Sequence, residues 1–441
     1  MLKRISVSVL LLALLLPAGI NAAAQSGEYL SYAPYSIFGI GDLAQQGSAY
    51  NRSMGGVGIA SRNIRFLNSL NPAAVTAKDS LSFQLDFSVL NANTVFRQED
   101  MVSARNITNL GSMAMSFPLW RSLSMVLGIT PYSSGGYGYT VHETDPVVIA
   151  KTGNITYYDY GQGSFYKLYG GIGYNFWKKL SLGVEGDYIF GNYGKYFTEN
   201  FASSGYNSVQ DVYSLKLHTF TWKAGLQYEQ RLNEKTKLGF GATWSAGANL
   251  NGTMEYTHSS VGSAETVVVN TRTDTLGVNS AVVGLASELG LGVSLNIEDR
   301  IRAEVDFTMS DWTKTGMGTA DGFANMKSKT PFSANSRWSL RAGAEYTPDR
   351  YNVRYYSKRI SYRAGTYYNN EYYKVGGNEI NSFGITLGAT LPVFRWYNGL
   401  SVAVDMGQRG TKADGLIRER YVKFCVGLNL HDIWFQKRRF D

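Results

Sequence analysis

The sequence of 441 residues contains one cysteine, nine prolines and, after residue 25, no long apolar run. Cys425 alone allows no intramolecular disulfide, so stability must come from other contacts. No run approaches the ~20 apolar residues that a membrane helix needs. The nearest, 281–295, is interrupted by Ser287, Glu288 and several glycines. These absences exclude a disulfide-stapled domain and a bundle of membrane helices.

Charge and histidine content exclude further classes. The net charge is +8, but the basic residues are spread along the chain, and the one short basic block is 437–439. We therefore expect no nucleic-acid partner. The four histidines lack the spacing of a metal site, so no metal and no cofactor is expected. His142 and His258 lie in long loops, and no Ser-His-acid set is apparent, so the chain is predicted not to be an enzyme.

The first residues resemble an export signal. Lys3 and Arg4 precede an apolar run over 5–16, and Ala22 and Ala24 form a small-x-small pattern before Gln25. This pattern predicts a signal peptide over 1–24 that is cleaved during export. An uncleaved anchor helix is the less favoured alternative, because the run is too short to span a bilayer comfortably.

Apolar and polar residues alternate along much of the remaining chain. The stretch LSFQLDFSVL (81–90) has Leu, Phe and Val at every second position, which is the period of a β-strand. Similar stretches recur about fourteen times, and the 48 glycines and 14% aromatic residues also favour sheet over helix. In a soluble protein the apolar face would be internal, whereas in a membrane barrel it faces lipid.

The polar face of these strands carries many charged residues, and the connections between strands alternate in length. If the polar face lines a barrel, the lumen is lined by Asp86, Glu185, Asp187, Lys223, Glu288, Arg302, Glu304, Asp306, Arg341 and Glu345. Such residues either select solutes or form ion pairs in a filled lumen, and we favour the second interpretation. Short breaks are predicted near 118–122, 177–179, 231–235, 296–299 and 393–398, and long polar loops over 91–104, 132–161, 191–211, 247–278 and 311–337.

This alternation is typical of an outer-membrane barrel, which has short periplasmic turns and long outer loops. We therefore predict an all-β fold: a transmembrane antiparallel β-barrel of about 14 strands over 80–441, with an N-terminal plug. The expected location is the outer membrane of a Gram-negative bacterium, in contact with outer-membrane lipid and lipopolysaccharide. The segment 348–358 is too long for a minimal turn and does not fit the pattern.

Residues 25–79 do not alternate, and they are predicted to form the plug, or hatch, inside the lumen. They are too many for a tail and too few for a separate domain. Gly55, Gly56 and Gly58 allow close packing or unusual backbone angles, but they lack the spacing of a nucleotide-binding loop. Pro72 would fix a turn that anchors one end of the hatch, next to Phe66, Leu67 and Asn71.

MGGVGIA (54–60) followed by LNPAAV (70–75) resembles the N-terminal hatch of the FadL/OmpP1/TodX family of hydrophobic-compound transporters. VDFTMSDWTK (305–314) resembles a strand end of that family, and the segments from 341 onwards resemble a FadL-like branch from Bacteroidota-type bacteria. The resemblance implies a fourteen-stranded barrel with a hatch before the first strand. It also implies that hatch or gating residues include Met54, Gly55, Gly56, Phe66, Leu67, Asn71, Pro72 and Ala73.

Two functions follow as hypotheses. The first is a passive transporter for small hydrophobic compounds, fatty-acid-like or aromatic, gated by the hatch. The alternative is a non-transporting FadL-like barrel that acts as a subunit of an outer-membrane protein assembly or secretion machine, with protein partners in that membrane. The charged polar face and the long loops motivate the alternative. A general porin is a third option, but a plug argues against an open pore.

Overall fold

The computed structural model of the protein describes residues 31–78, 81–120, 122–177, 179–203, 205–262, 265–324, 331–393 and 398–433, so the predicted signal peptide (1–24) lies outside the described residues. The strands are β1 Asp42–Leu43, β2 Ser82–Gln98, β3 Met101–Trp120, β4 Leu123–Ser134, β5 Tyr137–His142, β6 Ile155–Phe176, β7 Leu180–Phe201, β8 Ser208–Arg231, β9 Thr236–Ser245, β10 Ala248–Asn249, β11 Asn251–Val261, β12 Thr266–Thr275, β13 Gly284–Leu285, β14 Glu288–Ile297, β15 Ile301–Asp311, β16 Phe332–Ala334, β17 Ser336–Tyr346, β18 Ser361–Val375, β19 Asn378–Pro392, β20 Gly399–Arg409 and β21 Arg418–Ile433.

Helical structure is sparse. The α-helices are Ala49–Arg52 and Pro146–Thr152, and the 3₁₀ helices are Pro34–Ile37, Pro72–Thr76, Tyr356–Arg359 and Ala413–Gly415. Within the described ranges, no helix is long and apolar enough to cross a bilayer.

Fourteen antiparallel strands close into a barrel, as the sequence predicts. Around the wall they run β2, β3, β4, β6, β7, β8, β9, β14, β15, β17, β18, β19, β20 and β21. β21 pairs back onto β2 from Ser82 opposite Ile433 to Arg97 opposite Arg418, which closes the sheet. A closed sheet leaves no strand edge along this seam, and backbone groups in lipid are then satisfied within the wall.

The two faces of the wall have the inverted polarity of a membrane barrel. Apolar side chains at every second position are exposed on the outside, among them Leu182, Val184, Leu291 and Ile385. Their polar neighbours in sequence are buried: Glu185, for example, is only 1% exposed. The alternation in the sequence therefore arises because apolar residues face lipid and the polar residues between them face a filled lumen.

Several strands continue beyond the apolar band into stretches that the sequence assigns to loops. β2 and β3 extend to Gln98 and Met101, and β7 and β8 extend to Phe201 and Ser208. Within 247–278, β11 pairs with both β8 and β12. The loop prediction is wrong for these parts, because strands outside the bilayer can have two wet faces and need not alternate. Of the described residues in 311–337, residues 312–324 are irregular, as predicted.

The hydrogen bonding between β3 and β4 is incomplete and leaves a gap. Among the described residues, β3 pairs with β4 only from Met113 to Trp120, whereas the part of β3 from Met101 to Ser112 pairs with β2 alone. The short strand β1, which precedes the barrel in the chain, pairs with Ser133 and Ser134 at the upper end of β4. Part of the N-terminal segment therefore covers a strand edge that the gap leaves open.

Candidate functional site: the interface between hatch and wall

The hatch, residues 31–78 of the described chain, lies inside the barrel and is mostly buried. Its helix Ala49–Arg52 begins with a capping box, in which the Ser48 backbone N–H donates to Asn51 Oδ1 over 3.1 Å. Met54, Val57, Asn71 and Ala73 are fully buried. The predicted hatch residues Gly55, Gly56, Phe66, Leu67 and Pro72 are buried as well.

Three pairs of glycines on the lumen side of the wall accept the hatch backbone; we call them the glycine recesses. Gly183 lies opposite Gly225, Gly241 opposite Gly292, and Gly343 opposite Gly365 across neighbouring strands. A Cβ atom in these recesses would collide with Pro72, with Ile59 and Ala60, and with Met54, respectively. Glycine is therefore required here for close approach of one backbone to another.

Polar groups of the wall fix the hatch at the level of these recesses. Asp306 Oδ2 accepts hydrogen bonds from the backbone N–H groups of Gly58, at 2.6 Å, and Ile59, at 2.9 Å. The Gly55 N–H donates to Thr386 Oγ1 over 2.8 Å, on β19, three strands along the wall from the strand of Asp306. The wall thus supplies acceptors to hatch amides that no regular secondary structure satisfies.

The Asn71-Pro72-Ala73 motif forms a second anchor. Asn71 caps the 3₁₀ helix Pro72–Thr76 by accepting from the Ala73 N–H over 2.9 Å. Its side-chain amide donates to the Ile59 carbonyl at 2.8 Å and to the Leu226 carbonyl of the wall at 3.1 Å. The Lys223 ammonium donates to the Leu70 carbonyl over 2.6 Å, immediately before the motif.

A buried ion cluster holds the lower part of the hatch. Glu345 of the wall binds Arg363 of the neighbouring strand at 2.7 Å and Arg65 of the hatch at 3.5 Å. The Arg363 guanidinium lies 4.4 Å from the Tyr50 ring centroid and 4.9 Å from that of Phe66, and the two rings are stacked. Burial lowers the pKa of Arg65 to about 10, although the Glu345 carboxylate opposes this shift, so the guanidinium stays charged at neutral pH.

The other charged residues predicted to line the lumen face inward, and several form pairs. Lys167 lies 3.3 Å from Glu185 and 3.6 Å from Asp187, and Arg302 lies 3.7 Å from Glu304. Asp86 is buried on β2. Lys223, Glu288 and Arg341 line a cavity of about 160 Å³ beside the hatch, together with apolar side chains such as Leu70 and Leu285. A second cavity of about 180 Å³ shares Arg337 and Arg341 with it.

The outer end of the lumen is closed by apolar packing. Phe38 of the hatch and Phe323 of the segment after β15 are both fully buried, and the Gly39 N–H donates to the Phe323 carbonyl over 2.8 Å. Trp312 packs on Tyr372 with a centroid distance of 4.8 Å, and the Tyr372 hydroxyl donates to the Phe38 carbonyl. We call this cluster the outer cap. The cap and the recesses hold the hatch at both of its ends.

Sequence reasoning missed several of these residues. Arg363 lies in a tyrosine-rich strand with weak alternation, and Arg65 lies in the hatch, where no periodicity marks a face. The glycines of the recesses stand at positions of their strands whose side chains would point into the lumen. A glycine at such a position is a signal that could have identified them. Tyr367, Tyr372 and Tyr373, on the same strand as Arg363, are also buried inside the barrel, and the weak alternation of this strand does not predict it.

Comparisons with known proteins agree with this architecture. The family model described as BamG matches residues 1–441. No curated protein gives a significant match.

Solved structures of similar fold are outer-membrane transporters. The toluene transporter TbuX of Ralstonia pickettii is 14% identical, with a TM-score of 0.55, over 87% of this chain and 97% of its own. The toluene transporter TodX of Pseudomonas putida is 14% identical, with a TM-score of 0.55, over 90% and 99%. A FadL homologue of Pseudomonas aeruginosa is 10% identical, with a TM-score of 0.55, over 90% and 99%. At these identities the likeness establishes a FadL-like outer-membrane barrel fold.

Proposed function

The chain belongs to the BamG family, and on that premise we propose that it is a plugged, non-transporting barrel that serves as a subunit of an outer-membrane protein assembly or secretion machine. The family name hints at an assembly-related role. The FadL-like fold does not decide the matter, because one fold can carry unrelated functions.

The observation that carries the proposal is the attachment of the hatch along its length. It contacts three glycine recesses, donates two backbone hydrogen bonds to Asp306 and shares an ion cluster with Glu345. Its outer end is buried in the outer cap. Moving it out of the way would break all of these contacts. The cavities beside it have a mixed lining that includes the charged groups of Lys223, Arg337 and Arg341, and an apolar cargo would have to displace water from these charges.

Native purification combined with depletion tests this proposal. The tagged full-length protein is extracted from outer membranes in mild detergent and its mass is measured by native mass spectrometry. We expect a species heavier than the 48.7 kDa chain that contains at least one other outer-membrane protein. Depletion of the protein in its source bacterium should lower the abundance of several unrelated β-barrels, with restoration by a plasmid copy as the control. Recovery of this chain alone, together with an unchanged outer-membrane proteome, would contradict the proposal.

Hatch-gated transport of small hydrophobic compounds is a second candidate, and the gap between β3 and β4 favours it. The larger cavity is lined by Ile107 and Asn109 of β3 and by Pro131 of β4 and Tyr166 of β6, on the two sides of this gap. A solute could therefore leave the lumen sideways, with Leu43 and the rest of β1 as the obstacle. Two proteins of similar fold, TbuX and TodX, are toluene transporters, which agrees with such a route.

Uptake measurements separate the two candidates. Cells that express the full chain or a chain lacking 45–75 are compared for accumulation of labelled toluene, with vector-only cells as the baseline. Gated transport predicts uptake above the baseline that changes when the hatch is shortened. Equal uptake by all three strains would rule out the transport candidate and leave the assembly proposal intact.

A further inference from the structure

One connection on the periplasmic side differs from the others. Between β17 and β18 the chain has 14 residues (347–360), whereas the other connections at this end have two to six residues between the strand bounds. We call it the long periplasmic loop. It is the segment whose length does not fit the pattern of short turns.

The long periplasmic loop is held in one shape by its own hydrogen bonds. The Asp349 N–H donates to the Lys358 carbonyl over 2.8 Å, and the Tyr355 N–H donates to Asn352 Oδ1 over 2.7 Å. Two contacts anchor it to its surroundings: Arg350 donates to the Asp299 carbonyl in the turn after β14, and Tyr356 donates to the Pro392 carbonyl at the end of β19, both over 2.9 Å. A preorganised surface loses less conformational entropy when it binds a partner.

The side chains that the loop displays are of the kind found at protein interfaces. Val353 is 91% exposed, Tyr351 62% and Tyr355 47%. The cations of Arg354 and Lys358 lie 5.1 and 5.3 Å from the Tyr355 ring centroid. Tyrosine and arginine are enriched among the residues that dominate binding energy.

The loop also carries a marked positive charge. It contains four cations, Arg350, Arg354, Lys358 and Arg359, and one carboxylate, Asp349, which gives a formal charge of +3. The Asp349 carboxylate is occupied within the loop, since it accepts from the Tyr351 N–H and from the Asn352 amide. The exposed face is therefore complementary to an acidic surface.

A lipid surface would also attract tyrosines and cations, but the position of the loop disfavours it. Arg350 and Arg359 line a small cavity together with Arg65 and Phe66 of the hatch, so the loop folds beneath the lumen. Tyr346 and Tyr362, which are exposed on the outer face of the wall, belong to the adjoining strands and not to the loop. The loop thus faces the periplasm rather than the rim of the bilayer.

We propose that the long periplasmic loop is the docking surface for an acidic face of a periplasmic protein domain in the assembly to which this barrel belongs. This inference rests on the proposed function. Val353 and Tyr351 would bury apolar area at the centre of the contact, and Arg354 and Lys358 would supply the charge that selects an acidic partner.

The test compares the full-length wild type with two charge-matched variants during native purification. The variant R354E/K358E reverses two charges on the loop, whereas K179E/R231E reverses two exposed charges elsewhere at the periplasmic end, one in the turn before β7 and one at the end of β8. Heat-modifiable migration on gels verifies that each barrel is folded. We expect R354E/K358E to reduce recovery of the partner by about tenfold or more, and K179E/R231E to leave it unchanged. A photo-crosslinking residue at position 353 should capture the same acidic partner, and one at exposed Leu232 should not.

The outcomes separate the two proposals. If the wild type recovers a partner and R354E/K358E recovers it equally, or if position 353 crosslinks only to lipid, the docking inference is wrong while the assembly function stands. If the wild type recovers no partner at all, both are wrong. Loss of the partner in both variants would show a general charge effect and would also overturn the assignment to this loop.

Discussion

Asp306 offers the sharpest test of how firmly the hatch is held. Its carboxylate belongs to the wall, and Oδ2 accepts from two hatch amides, Gly58 and Ile59. The substitution Asp306→Ala removes this acceptor and leaves two buried N–H groups without it. Each buried unsatisfied donor costs about 1–3 kcal/mol, so hatch docking should weaken by about 2–6 kcal/mol. Even the lower figure corresponds to roughly 30-fold in the docking equilibrium.

Hydrogen exchange measured by mass spectrometry on the purified barrel can detect this change. Peptides that cover 48–66 should exchange at least about 30-fold faster in Asp306→Ala than in the wild type, whereas strand peptides far from the site should not change. Asp306→Asn, which keeps one acceptor oxygen, should have a smaller effect. The matched control is Asp405→Ala, because the Asp405 carboxylate accepts from the Tyr367 hydroxyl within the wall at 2.8 Å. Equal hatch exchange in Asp306→Ala and Asp405→Ala would refute the reasoning.

Two further predictions concern packing and pH. Gly343→Ala places a methyl group against Met54 in a glycine recess and should lower the free energy of unfolding by about 1–3 kcal/mol in a urea titration. Gly186→Ala should have little effect, because the atom nearest to the added methyl group is in the Phe220 side chain, at 3.1 Å. Similar losses of stability for both variants would contradict the account of the recess. Burial lowers the pKa of Lys78 to about 7, and its ammonium donates to Ser116 Oγ. The unfolded amine titrates near ~10.4, so between these values the unfolded chain binds more protons and stability rises with pH. Lys78→Met should flatten this rise in urea titrations at two pH values within the window, and an unchanged slope would count against the shift.

The sequence predicts the membrane-spanning part of the strands well because lipid and lumen impose opposite polarity on successive side chains. Val184 and Glu185 illustrate the rule, since the first is exposed and the second buried. Above the bilayer this contrast disappears. β12 has Val267, Val268 and Val269 in succession, all exposed, so no alternation marks it as a strand.

The site is only partly predictable for a different reason. The alternation along their strands places Glu345 and Asp306 in the lumen. It does not predict that Glu345 binds Arg65, or that Asp306 binds the amides of Gly58 and Ile59. Those partners depend on strand register and on the path of the hatch, and neither has a periodic signature. The motifs Met54-Gly55-Gly56 and Asn71-Pro72-Ala73 locate hatch anchors, while the glycines that receive them lie more than a hundred residues away in the chain.

The glycine recesses also bear on how the barrel forms. Each recess forms only when its two strands pair in one register. The hatch that fills the recesses precedes all of these strands in the chain and is therefore synthesised before them. A strand displaced by two positions would keep its apolar face in lipid, yet it would present Glu185, Lys223 or Arg341 where a bare backbone is required. Lipid contact alone therefore tolerates such a shift in strand register. The hatch does not, because it can dock only on a wall whose strands are paired in the correct register.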